Sequence, residues 1–199
     1  FIKIAEKYWG DNSFVKIITG TVPTNYPGKC ISKGFYDYEI IGEFDFLVPD
    51  LIDSLINGKD MPKNQSLISK ENVEDFIDKG NRETAYPRID VKKLPVPDYN
   101  LISKEQKNAY STISEKGKIR FPEKSSSYRD IMTSRGCTLR CSFCSVAHFR
   151  GPTNTYRRKS VKQVINEVKT ALDDGIQEIH FFDDLFAENK DQIFEFCNT

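Results

Sequence analysis

No apolar run in the 199-residue sequence is long enough to cross a bilayer, so it offers no candidate membrane span. Charge of one sign is lacking too: 29 Lys and Arg offset 29 Asp and Glu. No global field therefore draws the chain to nucleic acid or to an anionic surface, and such a role would need a local patch. Histidine is scarce, with only His148 and His180, so nothing before position 148 can offer an imidazole. No internal repeat or low-complexity tract is evident. An initiator methionine is missing as well: Phe1 opens the sequence and Thr199 closes it beside an apolar, helix-like stretch, ends read as those of a fragment. Five cysteines are present, but they do not form a disulfide framework. Cys30 and Cys197 stand alone while Cys137, Cys141 and Cys144 fall within eight residues. That clustering favours a metal or cluster site in a reducing compartment, the cytoplasm.

A hydrophobic content of 38% is ample for a core. Phe14 to Thr19 reads as a buried parallel strand closed by Gly20, and a second strand lies near Tyr36 to Ile41. A helix follows from about Phe46 to Ile56, stopped by Asn57-Gly58, with Leu47, Leu51, Ile52, Leu55 and Ile56 on one apolar face. These are the closing elements of an open α/β sheet. From residue 61 to residue 127 periodicity weakens, and Leu94-Pro95-Val96-Pro97-Asp98-Tyr99 cannot be helical. This stretch reads as a linker that packs on its neighbours, with a short hairpin near Leu67 to Ile77. Order returns after Tyr128. Ile131-Met132-Thr133 is a short strand, the cysteine loop follows, and Ser160 with Gln163 forms a capping box for a helix burying Val161, Val164, Ile165, Val168 and Leu172. Gly175 ends that helix, Ile176 to Phe182 is a strand ending at Asp183-Asp184, and a last helix begins before Ile193. Strand, loop, helix, strand, helix is the order of a parallel β/α barrel or sheet, whose chemistry sits at the carboxyl ends of the strands.

Cys137-Thr-Leu-Arg-Cys141-Ser-Phe-Cys144 sets three thiolates on one tight loop. They suit three irons of a cubane and leave the fourth iron open to substrate. The same residues with His148 could instead make a tetrahedral Cys3His zinc site. Zinc knuckles are usually small free-standing modules, whereas this loop joins a strand to an amphipathic helix, and the cluster is the preferred reading.

The Cys-x3-Cys-x2-Cys loop, with aromatic Phe143 before its last cysteine, resembles that of radical S-adenosylmethionine enzymes. Ser134-Arg135-Gly136-Cys137, Tyr156-Arg157-Arg158-Lys159-Ser160 and Phe181-Phe182-Asp183-Asp184-Leu185-Phe186 look like the subgroup with an N-terminal cobalamin-binding domain. So does the proline-rich linker. Thr19-Gly20-Thr21-Val22-Pro23-Thr24 and Gly42-Glu43 are similar to the last two strand ends of that domain, although the subgroup commonly has two glycines where Thr19-Gly20 stand. The resemblance implies an α/β chain: the C-terminal part of a flavodoxin-like (Rossmann-like) cobalamin domain over residues 1–60, a linker over 61–127, and the first β/α units of a partial radical barrel over 128–199. It implies a [4Fe-4S] cluster on Cys137, Cys141 and Cys144, and S-adenosylmethionine bound by Phe143, Asp183, Asp184 and Arg157. Cobalamin would lie against Gly20, Thr24, Gly42 and Glu43. The implied activity is generation of a 5'-deoxyadenosyl radical, with cobalamin-dependent methylation or rearrangement (a methyltransferase or cyclase) of a small organic substrate. Electrons would come from a flavodoxin or ferredoxin. An RNA methylthiotransferase is the nearest enzyme alternative, but it would want further cluster cysteines upstream, where only Cys30 stands.

Other residues have plainer readings. Asp183 and Asp184 are as apt to cap a helix as to hold an ammonium group. Arg150, Arg157, Arg158, Lys159 and Lys162 form the one basic stretch; it could bind the methionine carboxylate, a phosphate or RNA, but reads first as a solvated face. His180, between apolar neighbours, reads as a satisfied core or barrel-lining residue. With no histidine before His148, a histidine ligand to cobalt cannot come from residues 1–147. Cys30 and Cys197 read as buried apolar side chains.

Overall fold

The structure is a computed structural model of the chain. It describes residues 14–77, 88–103, 105–106, 128–139, 141–144, 146, 156–186 and 188–199. These fall into two compact units, one formed by Phe1–Ile89 with Leu139–Thr155 and the other by Asp90–Thr138 with Tyr156–Thr199. No helix among the described residues is long and apolar enough to cross a membrane.

In the first unit, β1 (Ile17–Ile18) pairs in parallel with β2 (Tyr38–Ile40), and β2 pairs antiparallel with β3 (Leu67–Ser69). Both expected strands are present, shorter than the sequence pattern drew them. Between them lie the short helices α1 (Thr21–Asn25) and α2 (Lys29–Ser32); α3 (Leu47–Asn57) follows β2, and α4 (Glu74–Ile77) follows β3. The expected hairpin near Leu67 to Ile77 is a strand and then a helix. Because β3 adds to the sheet, the sheet runs past the boundary expected at residue 60.

Helix α3 ends as expected, with Gly58 in the left-handed conformation at φ 61°, but its buried face differs. Leu47, Leu51 and Ser54 are buried, whereas Ile56 is 75% exposed and Ile52 is largely exposed. Positions 47, 51, 54 and 55 make one stripe on a helix; 52 and 56 lie about 100° away from 51 and 55. Leu47 and Leu51 pack with Ile40 and Leu67 on one side of the sheet, while Ile31, Ile41, Ile68 and Val73 form a second cluster. Each fully buried side chain of this size contributes roughly 1.5–3 kcal/mol.

In the second unit, β4 (Tyr128–Ile131) pairs in parallel with β7 (Glu178–Phe181), Ile131 standing opposite Phe181. β4 starts earlier than the expected Ile131-Met132-Thr133 strand. After it come β5 (Ser134–Arg135) and β6 (Arg157–Arg158), which pair antiparallel. Helix α5 (Val161–Asp173) carries the expected capping box, with Ser160 Oγ accepting from Gln163 N. It stops before Gly175, at φ 78°. Its buried stripe is Val161, Val164, Glu167 and Ala171; Leu172 is exposed. Helix α6 (Lys190–Cys197) is capped by Asn189 and supplies Phe196, which meets Phe181 edge-on at 5.5 Å.

The proline-rich segment is ordered by its aromatic end. Asp98 caps a short 3-10 turn at Tyr99–Leu101, and the Arg129 guanidinium lies 3.8 Å over the Tyr99 ring. Arg129 Nη2 also meets Asp174 Oδ2 at 2.9 Å, so this buried arginine ties the segment to β4 and to the end of α5.

Candidate functional site

The parallel pairing of β4 with β7 brings two strand ends side by side, Thr133-Ser134 and Asp183-Asp184. Phe182 N donates to Ile131 O at 3.0 Å, one residue beyond the ladder. Asp183 Oδ1 then accepts from Thr133 Oγ1 at 3.1 Å, from Ser134 Oγ at 2.6 Å and from Ser134 N. Asp184 Oδ2 accepts from Gly136 N at 3.0 Å. Gly136, at φ 85°, occupies the left-handed region that glycine tolerates best, and it directly precedes Cys137. The other oxygen of Asp183, Oδ2, is buried with no hydrogen-bond partner among the described residues. The aspartates thus accept bonds from the cysteine loop's first strand, and they do not cap α6, whose cap is Asn189.

The antiparallel β5–β6 pair forms the stem of that loop, and the sequence pattern gave no sign of it. Two-residue strands carry no period, and their partners are more than twenty positions apart. The stem also changes the reading of the basic stretch. Arg158 is buried and donates from Nη1 to Phe186 O at 3.0 Å. Lys159 Nζ meets Glu167 Oε1 at 2.6 Å, with only 6% and 7% of the two side chains exposed. The expected solvated basic face therefore holds for Lys162, which is exposed, and not for Arg158 or Lys159, while Arg157 is half-buried and Arg150 lies outside the described residues. A glutamate at position 167, inside the apolar stripe of α5, was the available signal: a buried carboxylate needs a cation.

Of the three thiols, Cys137 belongs to the second unit and is half-buried. Cys141 and Cys144 belong to the first, joined by a turn in which Cys144 N donates to Cys141 O at 3.0 Å; Cys141 is exposed. Phe143, between them, is 90% exposed. None of the three is in a disulfide among the described residues, and thiols are the donor chemistry a cluster needs. Within neither unit do three His, Cys, Asp or Glu side chains among the described residues converge as a preformed metal site. His148, the fourth ligand of the zinc alternative, lies outside the described residues.

At the ends of β1 and β2 the structure joins three of the four residues expected to face cobalamin. Thr24 is buried; its Oγ1 donates to Gly20 O at 2.7 Å and accepts from Gly42 N at 2.8 Å. Gly20 has φ 94°, and among the described residues nothing lies within 4 Å of where its Cβ would stand, leaving room there for a close approach. Glu43 Oε2 instead accepts from Ile89 N at 2.9 Å. Nearby, the wholly buried Glu39 accepts from the amides of Gly28, Cys30 and Ile31 at 2.7, 2.6 and 2.8 Å, satisfying the start of α2. Sequence reading passed over it. Its signal was a charged residue between Tyr38 and Ile40 in an apolar strand.

His180 stands on β7 between two carboxylates. Its Nε2 is 3.0 Å from Glu178 Oε1, its Nδ1 is 3.3 Å from Asp130 Oδ1, and its ring stacks on Tyr128 at 4.8 Å. Burial works against its charged form, but the Glu178 hydrogen bond and the two carboxylate charges prevail and raise its pKa. It is the satisfied histidine expected.

Comparison with known proteins bears on both units. The family model for the Radical SAM superfamily matches residues 131–197. A curated relative, an uncharacterized methyltransferase of Pyrococcus horikoshii, is 31% identical over 77% of this chain and 29% of its own length. A cytidylyl-2-hydroxyethylphosphonate methyltransferase of Streptomyces wedmorensis is 44% identical over 31% of this chain and 11% of its own. A ribosomal protein uS12 methylthiotransferase of a Synechococcus strain is 30% identical over 30% of this chain and 14% of its own. The chain thus spans less than a third of the length of each. Among solved structures, the radical S-adenosylmethionine methyltransferase TsrM of Kitasatospora setae, with tryptophan and a S-adenosylmethionine analogue bound, superimposes with a TM-score of 0.60 at 17% identity, over 98% of this chain and 34% of that one. A second structure of it, with cobalamin and a [4Fe-4S] cluster bound, gives 0.55 at 16% identity, over 92% and 33%. The strand-end aspartates and the Cys-x3-Cys-x2-Cys loop both lie inside residues 131–197, the segment that matches the radical SAM superfamily.

Proposed function

We infer that the chain is part of a cobalamin-dependent radical S-adenosylmethionine methyltransferase acting on a small organic substrate. The observation that carries this reading is the cysteine loop, rooted at the carboxyl ends of two parallel strands, where open α/β sheets and barrels do their chemistry. Residues 131–197 would be the opening part of the barrel, and the β1–β2–β3 unit the closing part of a flavodoxin-like cobalamin domain. Bound together, the cluster, S-adenosylmethionine and cobalamin supply one-electron and methyl-transfer chemistry. The chain's own residues do the rest. Cys137, Cys141 and Cys144 would ligate three irons through thiolates. The unpartnered Asp183 Oδ2 is a carboxylate oxygen suited to an ammonium group, and Arg157 is a cation suited to a carboxylate. Phe143 offers an exposed ring to shield the loop from water. Gly20 and Gly42 offer backbone to the cobalamin nucleotide tail, while Thr24 and Glu43 hold those strand ends in place.

Methylation is favoured over the rearrangement expected of a cyclase because the relatives named are methyl- and methylthiotransferases. Methylthiolation is the second reading. A flavodoxin or ferredoxin as electron donor and a cytoplasmic location accord with an oxygen-sensitive cluster. The test is anaerobic reconstitution followed by metal analysis. Iron and sulfide in cluster ratio are expected in the wild type and lost in Cys141→Ala; zinc in their place would overturn the assignment.

A further inference from the structure

Two aspartates in the candidate site each accept hydrogen bonds from the chain itself. Asp184 Oδ2 accepts from Gly136 N at 3.0 Å, and Asp183 Oδ1 accepts three bonds from Thr133 and Ser134. Ser134 Oγ also lies 3.2 Å from Leu185 O, and Arg158 reaches Phe186 O from the facing stem strand. The segment after β7 is therefore stitched to Thr133, Ser134 and Gly136, which lead into Cys137. Gly136 is the point that most needs a stitch. Glycine loses the most conformational freedom on folding, and a residue at φ 85° sets the direction in which the next side chain leaves the strand.

Resting on the reading above, we propose that Asp184 is a positioning residue for the iron–sulfur cluster: it fixes the Gly136 turn and so the placement of the Cys137 thiolate. This role differs from that of a ligand to S-adenosylmethionine, the role the family resemblance implied for Asp184. The difference is observable because positioning acts before any S-adenosylmethionine is added. Residues that orient a metal ligand from behind typically carry a 10–100-fold share of metal affinity.

The experiment compares wild type, Asp184→Asn and Asp184→Ala after anaerobic reconstitution. It reads iron loss to a chelator and the paramagnetic spectrum of the reduced cluster, both without S-adenosylmethionine, and then the affinity for S-adenosylmethionine. The Asn variant keeps an oxygen to accept from Gly136 N and should hold iron like the wild type. The Ala variant should lose iron about 10-fold faster or more and show an altered spectrum. An Ala variant with wild-type iron retention and spectrum, weakened only toward S-adenosylmethionine, would overturn the proposal in favour of a ligand role. Should Asp184→Ala fail to fold, Asp184→Leu keeps much of the side chain's size and removes the acceptor for Gly136 N; faster iron loss there supports the proposal, and unchanged retention overturns it. A wild type that assembles no cluster defeats the underlying assignment, a distinct result.

Discussion

At the scale of single residues, buried charge was the feature most easily overlooked and the most consequential. Glu39 gives its carboxylate to three amides at the start of α2. Removing it as Glu39→Ala leaves those donors buried and unmatched, and the expected cost is roughly 3 kcal/mol or more, read from urea unfolding. Glu39→Gln, which keeps one acceptor oxygen, should cost clearly less. The cysteines divide as well, although burial is not what separates them: Cys197, expected to be buried, is exposed, and Cys30 is half-buried. Cys30→Ser and Cys197→Ser are expected to leave iron content unchanged, whereas any one of Cys137, Cys141 or Cys144 changed to Ala abolishes the cluster's visible absorption. Equal iron in the two groups of variants would contradict the assignment. The loop was legible from spacing because thiolate ligands must come from fixed positions on a short chain. Glu39 was not, since a single charged residue in a strand gives no hint of where its partners lie.

At the scale of elements, what was legible followed from period and punctuation. The capping box at Ser160 and Gln163, the stop at Gly175 and the stop at Gly58 were correctly placed because each is a local device. The misplaced faces of α3 and α5 came from counting apolar residues alone. Ser54 and Glu167 occupy buried positions through polar partners, Ser54 Oγ donating to Asp50 O and Asp60 O and Glu167 pairing with Lys159. Breaking that last pair tests its weight. Lys159→Met leaves Glu167 buried and unpaired, with an expected loss of about 3–5 kcal/mol, and a second change of Glu167 to Leu should restore most of it. The β4–β7 pair adds a pH dependence. The folded-state pKa of His180 is raised above 6.5 by Glu178 and Asp130 despite its burial. The stabilisation from that ion pairing is complete below the unfolded value and is lost as pH rises through the folded one. Thermal midpoints should therefore fall more in the wild type than in Glu178→Gln between about pH 6 and about pH 8. Parallel curves would assign His180 no such role.

At the scale of the whole molecule, the chain covers less than a third of the curated relatives it matches, and its second unit holds one parallel strand pair among the described residues. A ligand pocket must surround most of its ligand to bind it well, and a radical must be kept from water. The 199 residues by themselves are accordingly expected to assemble a cluster but to turn over substrate poorly and bind cobalamin weakly. Tight cobalamin retention through gel filtration, or robust substrate-coupled turnover, would contradict this.

The burial of basic side chains in the second unit has one more consequence. Arg129, Arg135, Arg158 and Lys159 are all shielded, and all are residues after which trypsin cuts. A protease needs the chain extended in its cleft, so these peptide bonds become cleavable only when the β4–β7 pair and the β5–β6 stem open. Cuts after exposed residues such as Lys162 and Lys169 can proceed without that opening. The ratio of the two classes of tryptic peptide thus serves as an internal clock for unfolding of this unit, and cluster assembly would be visible as a slowing of the shielded class.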